Sequence, residues 1–95
     1  MLLAFLKIEG HSMSPFLKSQ DIIFASSIPY LFSNPQENDV VIAKINGKNF
    51  VKRICAIVQE KYYLEGDNKT DSMDSRNFGL VPKKNIVGKV IFSFA

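Results

Sequence analysis

Asn46-Gly47 is the feature that most constrains this chain. The pair stands between "DVVIAKI" and "KNFVKRICAIV", two runs rich in β-branched and aromatic residues. Both turn residues accept the positive φ that a two-residue hairpin demands. With that turn, Ile45 pairs with Lys48, Ala43 with Phe50, and Val41 with Lys52. Elsewhere short apolar runs alternate with turn residues, and no stretch sustains the 3.6-residue period of an amphipathic helix. "LLAFLKIE" reads as a first strand, "DIIFASSI" as a second, "KYYLEG" as a further strand and "KVIFSFA" as the last. "HSMSPFLKS" reads as a turn with at most one helical turn. "PYLFSNPQEN" reads as a loop, holding an apolar cluster of Tyr30, Leu31 and Phe32 that must pack or face a partner. The expected fold is mostly β: a small coiled antiparallel sheet or partly open barrel, one domain over residues 1–95.

A chain of 95 residues has room for one modest core. It should fold alone, since 46% of its residues are hydrophobic and eight are Phe. The net charge is +3, with the cations scattered and "VKR" and "PKK" the only clusters. That is too thin for a nucleic-acid stripe and reads as a solvated basic surface, with weak attraction to anionic lipid the lesser alternative. One Cys and one His exclude an internal disulfide and a Cys/His zinc site. No metal or cofactor is expected, and Cys55 is expected to act as a small core hydrophobe. "MLLAFL" is far short of the roughly 20 apolar residues that span a bilayer, and it lacks the pattern of a signal peptide. The expectation is a soluble, cytoplasmic protein that touches a membrane only peripherally.

"GHSMSP", residues 10–15, poses the chemical question. Ser12 is either part of a turn or a nucleophile. A hydroxyl is a weak nucleophile at neutral pH and needs a base. The one imidazole, His11, is adjacent, and neighbours on an extended chain point to opposite faces. A Ser-His-Asp triad is therefore disfavoured, and His11 reads as a surface residue. A lysine can replace histidine if its pKa falls from about 10.4 toward 7–8, a cost of roughly 4 kcal/mol met mainly by desolvation. Lys52 is the candidate: Phe50, Lys52 and Ile54 share one face of a strand, with Ala56 beyond. Arg53 falls on the other face, free to stay solvated. The pattern leaves open the plainer alternative, a strand lysine whose amine snorkels to water. A long polar stretch, "GDNKTDSMDSRNFG", follows at residues 66–79. It is either a solvent loop rich in Asx and Ser turns or an ordered loop braced by an Asp74–Arg76 pair.

"GHSMSP", "FVKRI" and "GDNKTDSMDSRNFG" together resemble, in order and approximate spacing, the type I signal peptidases, a family of serine-lysine endopeptidases. The resemblance runs over nearly the whole chain, and its last motif is the specific one; the self-cleaving SOS-repressor peptidases share an element like "SMSP". The resemblance implies a signal-peptidase-like β core in which Ser12 is the nucleophile and Lys52 the general base. It implies that Ser72 orients the lysine and that Asp74 and Arg76 brace the loop. The backbone N–H of Ser12 would be one oxyanion donor. Gly10 stands where many members carry a serine that adds a side-chain donor. The implied partner is a peptide or protein substrate bound as an added strand between Leu6–Gly10 and Phe50–Lys52. Ile8, Gly10, Met13, Leu17, Phe50 and Val51 would form its binding site, with a pocket for a small side chain, and the apolar members of that set serve equally as core.

The chain departs from the family pattern in several ways. It shows no membrane anchor, and only Cys55 to Glu65 stand where many members insert a second β-domain. Two family glycines are replaced, giving Gln20-Asp21 and Asn38-Asp39. Asn tolerates positive φ, whereas Gln20 implies a slightly different turn. The short, anchorless form most resembles the nickel-superoxide-dismutase maturation proteases, which implies removal of an N-terminal leader or propeptide. Three alternatives stand beside that reading. The first is a membrane-surface signal peptidase acting on secreted preproteins. The second is a self-processing regulatory domain, disfavoured by the nine residues that precede Gly10. The third is a non-catalytic binding module, disfavoured by the intact Ser12, Lys52 and Ser72 set.

Overall fold

The computed structural model describes residues 3–10, 12–68 and 78–94. Among the described residues, seven strands form one antiparallel sheet: β1 (Leu3–Lys7), β2 (Ile22–Ser26), β3 (Val40–Ile45), β4 (Lys48–Val58), β5 (Lys61–Glu65), β6 (Val81–Pro82) and β7 (Ile86–Phe94). Their spatial order is β1-β2-β7-β3-β4-β5-β6, and the sheet does not close into a barrel. The Asn46-Gly47 hairpin has the predicted register, with Ile45 opposite Lys48, Ala43 opposite Phe50 and Val41 opposite Lys52. Asn46 and Gly47 both take positive φ, as that turn requires.

β3 explains why "VVIA" runs without alternation. Val40 and Ile42 enter one core cluster with Ile8, Met13, Leu17, Ile23 and Ala25. Val41 and Ala43 enter a second with Ile54, Tyr62, Leu64 and Val81. A strand buried on both faces needs apolar residues at every position. Full burial of each large aliphatic side chain contributes about 1.5–3 kcal/mol. Register shifts between Phe24 and Ala25, Ile42 and Ala43, and Ile54 and Ala56 mark bulges that coil the sheet.

Several expectations are corrected. Cys55 is exposed, not in the core. It sits at the bulge between Ile54 and Ala56, where strict two-residue alternation breaks. The first strand ends at Lys7, and beyond it Ile8 donates its N–H to the Asp21 carbonyl at 2.7 Å. The segment expected as a loop holds a single helical turn, α1 (Pro29–Phe32), with Pro in its first turn where its missing N–H costs nothing. The Tyr30–Phe32 cluster splits. Tyr30 packs on the second core cluster, whereas Leu31 and Phe32 remain 69% and 86% exposed. Gln20 takes the left-handed conformation, φ 78°, as does Asn38 at φ 74°.

Candidate active site

Ser12 lies in the turn that follows β1. Met13 and Leu17 anchor that turn, both buried in the first core cluster, and the Leu17 N–H bonds the Met13 carbonyl at 2.9 Å. The Ser12 carbonyl accepts a bond from the Asn68 N–H at 2.8 Å, which ties the turn to the end of "GDN". Lys52 lies on β4, opposite Val41 and on the face that carries Ile54. It is 2% exposed, so the snorkelling alternative is wrong here: the amine is not in bulk water. Its Nζ stands 6.0 Å from the centroid of the Phe50 ring, the outer limit of a cation–π contact.

Ser12 and Lys52 line one cleft of about 280 Å³, together with Leu6, Ile8, Met13, Phe50 and Val51. Lys7, Glu9 and Asn49 complete its rim. The cleft follows from pairing. Among the described residues β1 is an edge strand bonded to β2. Among the described residues, β4 pairs with β3 along Lys48–Arg53 and with β5 from Arg53 onward, so β5 does not extend along Lys48–Val51. The coiled sheet brings these two edges to the same opening.

The residues expected to bind substrate divide accordingly. Ile8, Met13, Phe50 and Val51 line the cleft, whereas Leu17 lies beneath it, fully buried. Gly10 is exposed with φ 83°, and a Cβ built on it meets nothing within 4 Å. Ser72, Asp74 and Arg76 lie outside the described residues, as does His11.

The sequence reading missed Arg53. It is not a solvated cation: its Nε and Nη2 each donate to the Asp67 carboxylate at 2.9 Å, and its Nη1 donates to the Asn38 carbonyl at 3.0 Å. The Asp67 bonds push the guanidinium pKa up from its ordinary value. Its carbon stands 4.8 Å over the Phe16 ring. The signal available was the charge pair itself, an Arg next to the candidate Lys and an Asp inside "GDN"; nothing local linked the two. Asp39 is a second hub. It accepts from the Tyr30 hydroxyl at 2.8 Å and from the Gln36 N–H at 3.0 Å, and it pairs with Lys89 at 3.6 Å. The Ile54 N–H bonds the Asp39 carbonyl at 2.8 Å, so this hub also fixes the strand two residues from Lys52. Among the described residues no cluster of His, Cys, Asp or Glu could hold a metal ion.

A family model described as "Signal peptidase, peptidase S26" matches residues 1–58 and 55–95. Mitochondrial inner membrane protease subunit 1 of Mus musculus is 31% identical over 106 residues, covering 87% of this chain and 64% of its own length. Signal peptidase I of Bacillus licheniformis is 39% identical over 69 residues, covering 72% of this chain and 36% of its own. Signal peptidase I of Buchnera aphidicola subsp. Baizongia pistaciae is 50% identical over 36 residues, covering 38% of this chain and 12% of its own. The chain thus spans less than two thirds of these relatives. The family model matches both halves of the sequence, so the chain belongs to the signal peptidase family, peptidase S26.

Proposed function

We propose that residues 1–95 act as one serine endopeptidase domain that removes an N-terminal leader or propeptide from a protein substrate. One observation carries the reading: Ser12 and Lys52, distant in sequence, line the same cleft, and Lys52 is buried. Burial removes the water that stabilises an ammonium and so favours the neutral amine that a base requires. The Phe50 ring opposes this by favouring the cation, but at 6.0 Å that attraction is small.

In the proposed cycle the Lys52 amine takes the Ser12 hydroxyl proton as Oγ bonds the scissile carbonyl carbon. The resulting ammonium gives that proton to the departing amine as the C–N bond breaks. Water then bonds the acyl carbon as the Lys52 amine takes its proton; the C–Oγ bond breaks and the ammonium returns that proton to Ser12 Oγ. The Ser12 N–H would stabilise the oxyanion. By the family resemblance Ser72 would orient Lys52, and Asp74 and Arg76 would brace its loop. The substrate would add as a strand between the β1 edge and Asn49–Lys52, with Ile8, Met13, Phe50 and Val51 around a small side chain.

The finer proposal is a cytoplasmic enzyme acting on a precursor such as that of nickel superoxide dismutase, supported by the tight β4–β5 hairpin that leaves no inserted domain. A second reading, a membrane-surface signal peptidase for secreted preproteins, has its own observation. Phe5, Phe24 and Phe92 line up across three strands of one face, with ring centroids 4.9 and 5.0 Å apart, and Phe94 adjoins at 6.1 Å. Such a face suits contact with a bilayer. No described helix is long and apolar enough to cross one.

Cleavage assays test the proposal. The chain is incubated with the nickel superoxide dismutase precursor and with a secretory preprotein, with and without phospholipid vesicles. Ser12→Ala and Lys52→Met should each abolish cleavage while the thermal midpoint holds. Persistent cleavage by either variant overturns the dyad, and the preferred substrate separates the two readings.

A further inference from the structure

Phe16 has no place in the proposed chemistry, yet it is held where chemistry would feel it. It belongs to the turn that carries Ser12. Met13 and Leu17 of that turn point into the core, and Phe16 points out, 55% exposed. An exposed ring of this size gains little from burial, so its position needs another cause. That cause is Arg53, whose guanidinium carbon lies 4.8 Å over the ring centroid. Guanidinium is weakly hydrated and stacks on aromatic faces. Arg53 is simultaneously fixed by two bonds to Asp67 and one to the Asn38 carbonyl. Asp67 adjoins Asn68, whose N–H holds the Ser12 carbonyl at 2.8 Å. A loop of contacts therefore leaves the Ser12 turn through Phe16, passes through Arg53 and Asp67, and returns to Ser12 through Asn68.

We propose that Phe16 is a positioning residue, whose stack on Arg53 closes this loop and holds the Ser12 turn against Asn68 at the mouth of the cleft. Its consequence for turnover rests on the peptidase reading given above; its consequence for the Ser12–Asn68 bond does not. Two substitutions separate the ring's π face from its bulk. Phe16→Tyr keeps the face, and Phe16→Leu keeps apolar volume without it.

The deciding experiment is amide hydrogen exchange by NMR on the full 95-residue chain. Phe16→Leu should speed exchange at the Asn68 N–H by about two- to five-fold, the scale of an exposed cation–π contact. Phe16→Tyr should leave it unchanged, and the Ile8 N–H, bonded to Asp21, should move in neither variant. In an Arg53→Lys background the Phe16→Leu effect at Asn68 should vanish. Equal exchange in the Leu and Tyr variants, or the same increment with and without Arg53, overturns the proposal. If the wild-type chain cleaves peptides, kcat should fall by a similar factor in Phe16→Leu with KM unchanged. If it cleaves none, the peptidase reading fails and the exchange result still decides the role of Phe16.

Discussion

Gln20 and Asn38 both stand in the left-handed region, at φ 78° and 74°. For a side chain like glutamine that conformation costs about 1–2 kcal/mol, partly offset by the smaller chain entropy lost compared with glycine. Gln20→Gly should therefore raise stability by about 0.5 kcal/mol in urea unfolding, while Asn38→Gly should change little, since Asn tolerates positive φ. Tyr30 offers a pH test. Burial, reinforced by its bond to Asp39, pushes the phenol pKa well above its ordinary value. The unfolded phenol releases its proton near pH 10, whereas the folded one keeps it. Stability from this group is thus complete below about pH 10 and is lost as pH rises beyond it, by at most about 1.4 kcal/mol per pH unit. Tyr30→Phe should cost about 1 kcal/mol at pH 7 through the lost hydrogen bond. The variant should also lose less stability than the wild type between pH 10 and 11.5, which urea titrations at both pH values would read.

At the scale of elements, the β4–β5 pair shows what a bulge does. The register steps from Ile54 opposite Leu64 to Ala56 opposite Tyr63, leaving Cys55 outside the ladder. Its thiol makes long contacts, 3.8 Å to the Arg53 carbonyl and 3.9 Å to the Glu65 carboxylate. A thiol-specific reagent should label Cys55 in native buffer at close to the rate seen in denaturant. Labelling that waits for global unfolding would contradict its exposed position. The same bulge ends the alternation on which Lys52 was located. Phe50, Lys52 and Ile54 share a face because they precede it; Ala56, expected to follow them, lies beyond the shift. Arg53, placed by alternation on the solvent side, is instead clamped by Asp67, a partner that no local pattern could supply.

At the scale of the molecule, the open edges matter most. β1 and the Asn49–Lys52 segment of β4 flank one cleft without bonding each other. An extended peptide added there should slow hydrogen exchange at amides of Asn49–Val51. Unchanged exchange at saturating peptide would place substrate elsewhere. Much of the architecture was legible beforehand, because hairpin register follows from turn chemistry and strand identity from apolar runs, both properties of neighbouring residues. Ser12 and Lys52, candidates in the sequence from a motif and a strand face, line one cleft. Whether Lys52 snorkels or is buried was not legible, nor the Arg53–Asp67 clamp, nor the split of Tyr30 from Leu31 and Phe32. By itself the sequence determined a β chain, its central hairpin and the two residues to watch. Only the tertiary structure decided which of their surroundings excludes water, because burial and pairing depend on segments far apart in the chain that the coiled sheet brings together.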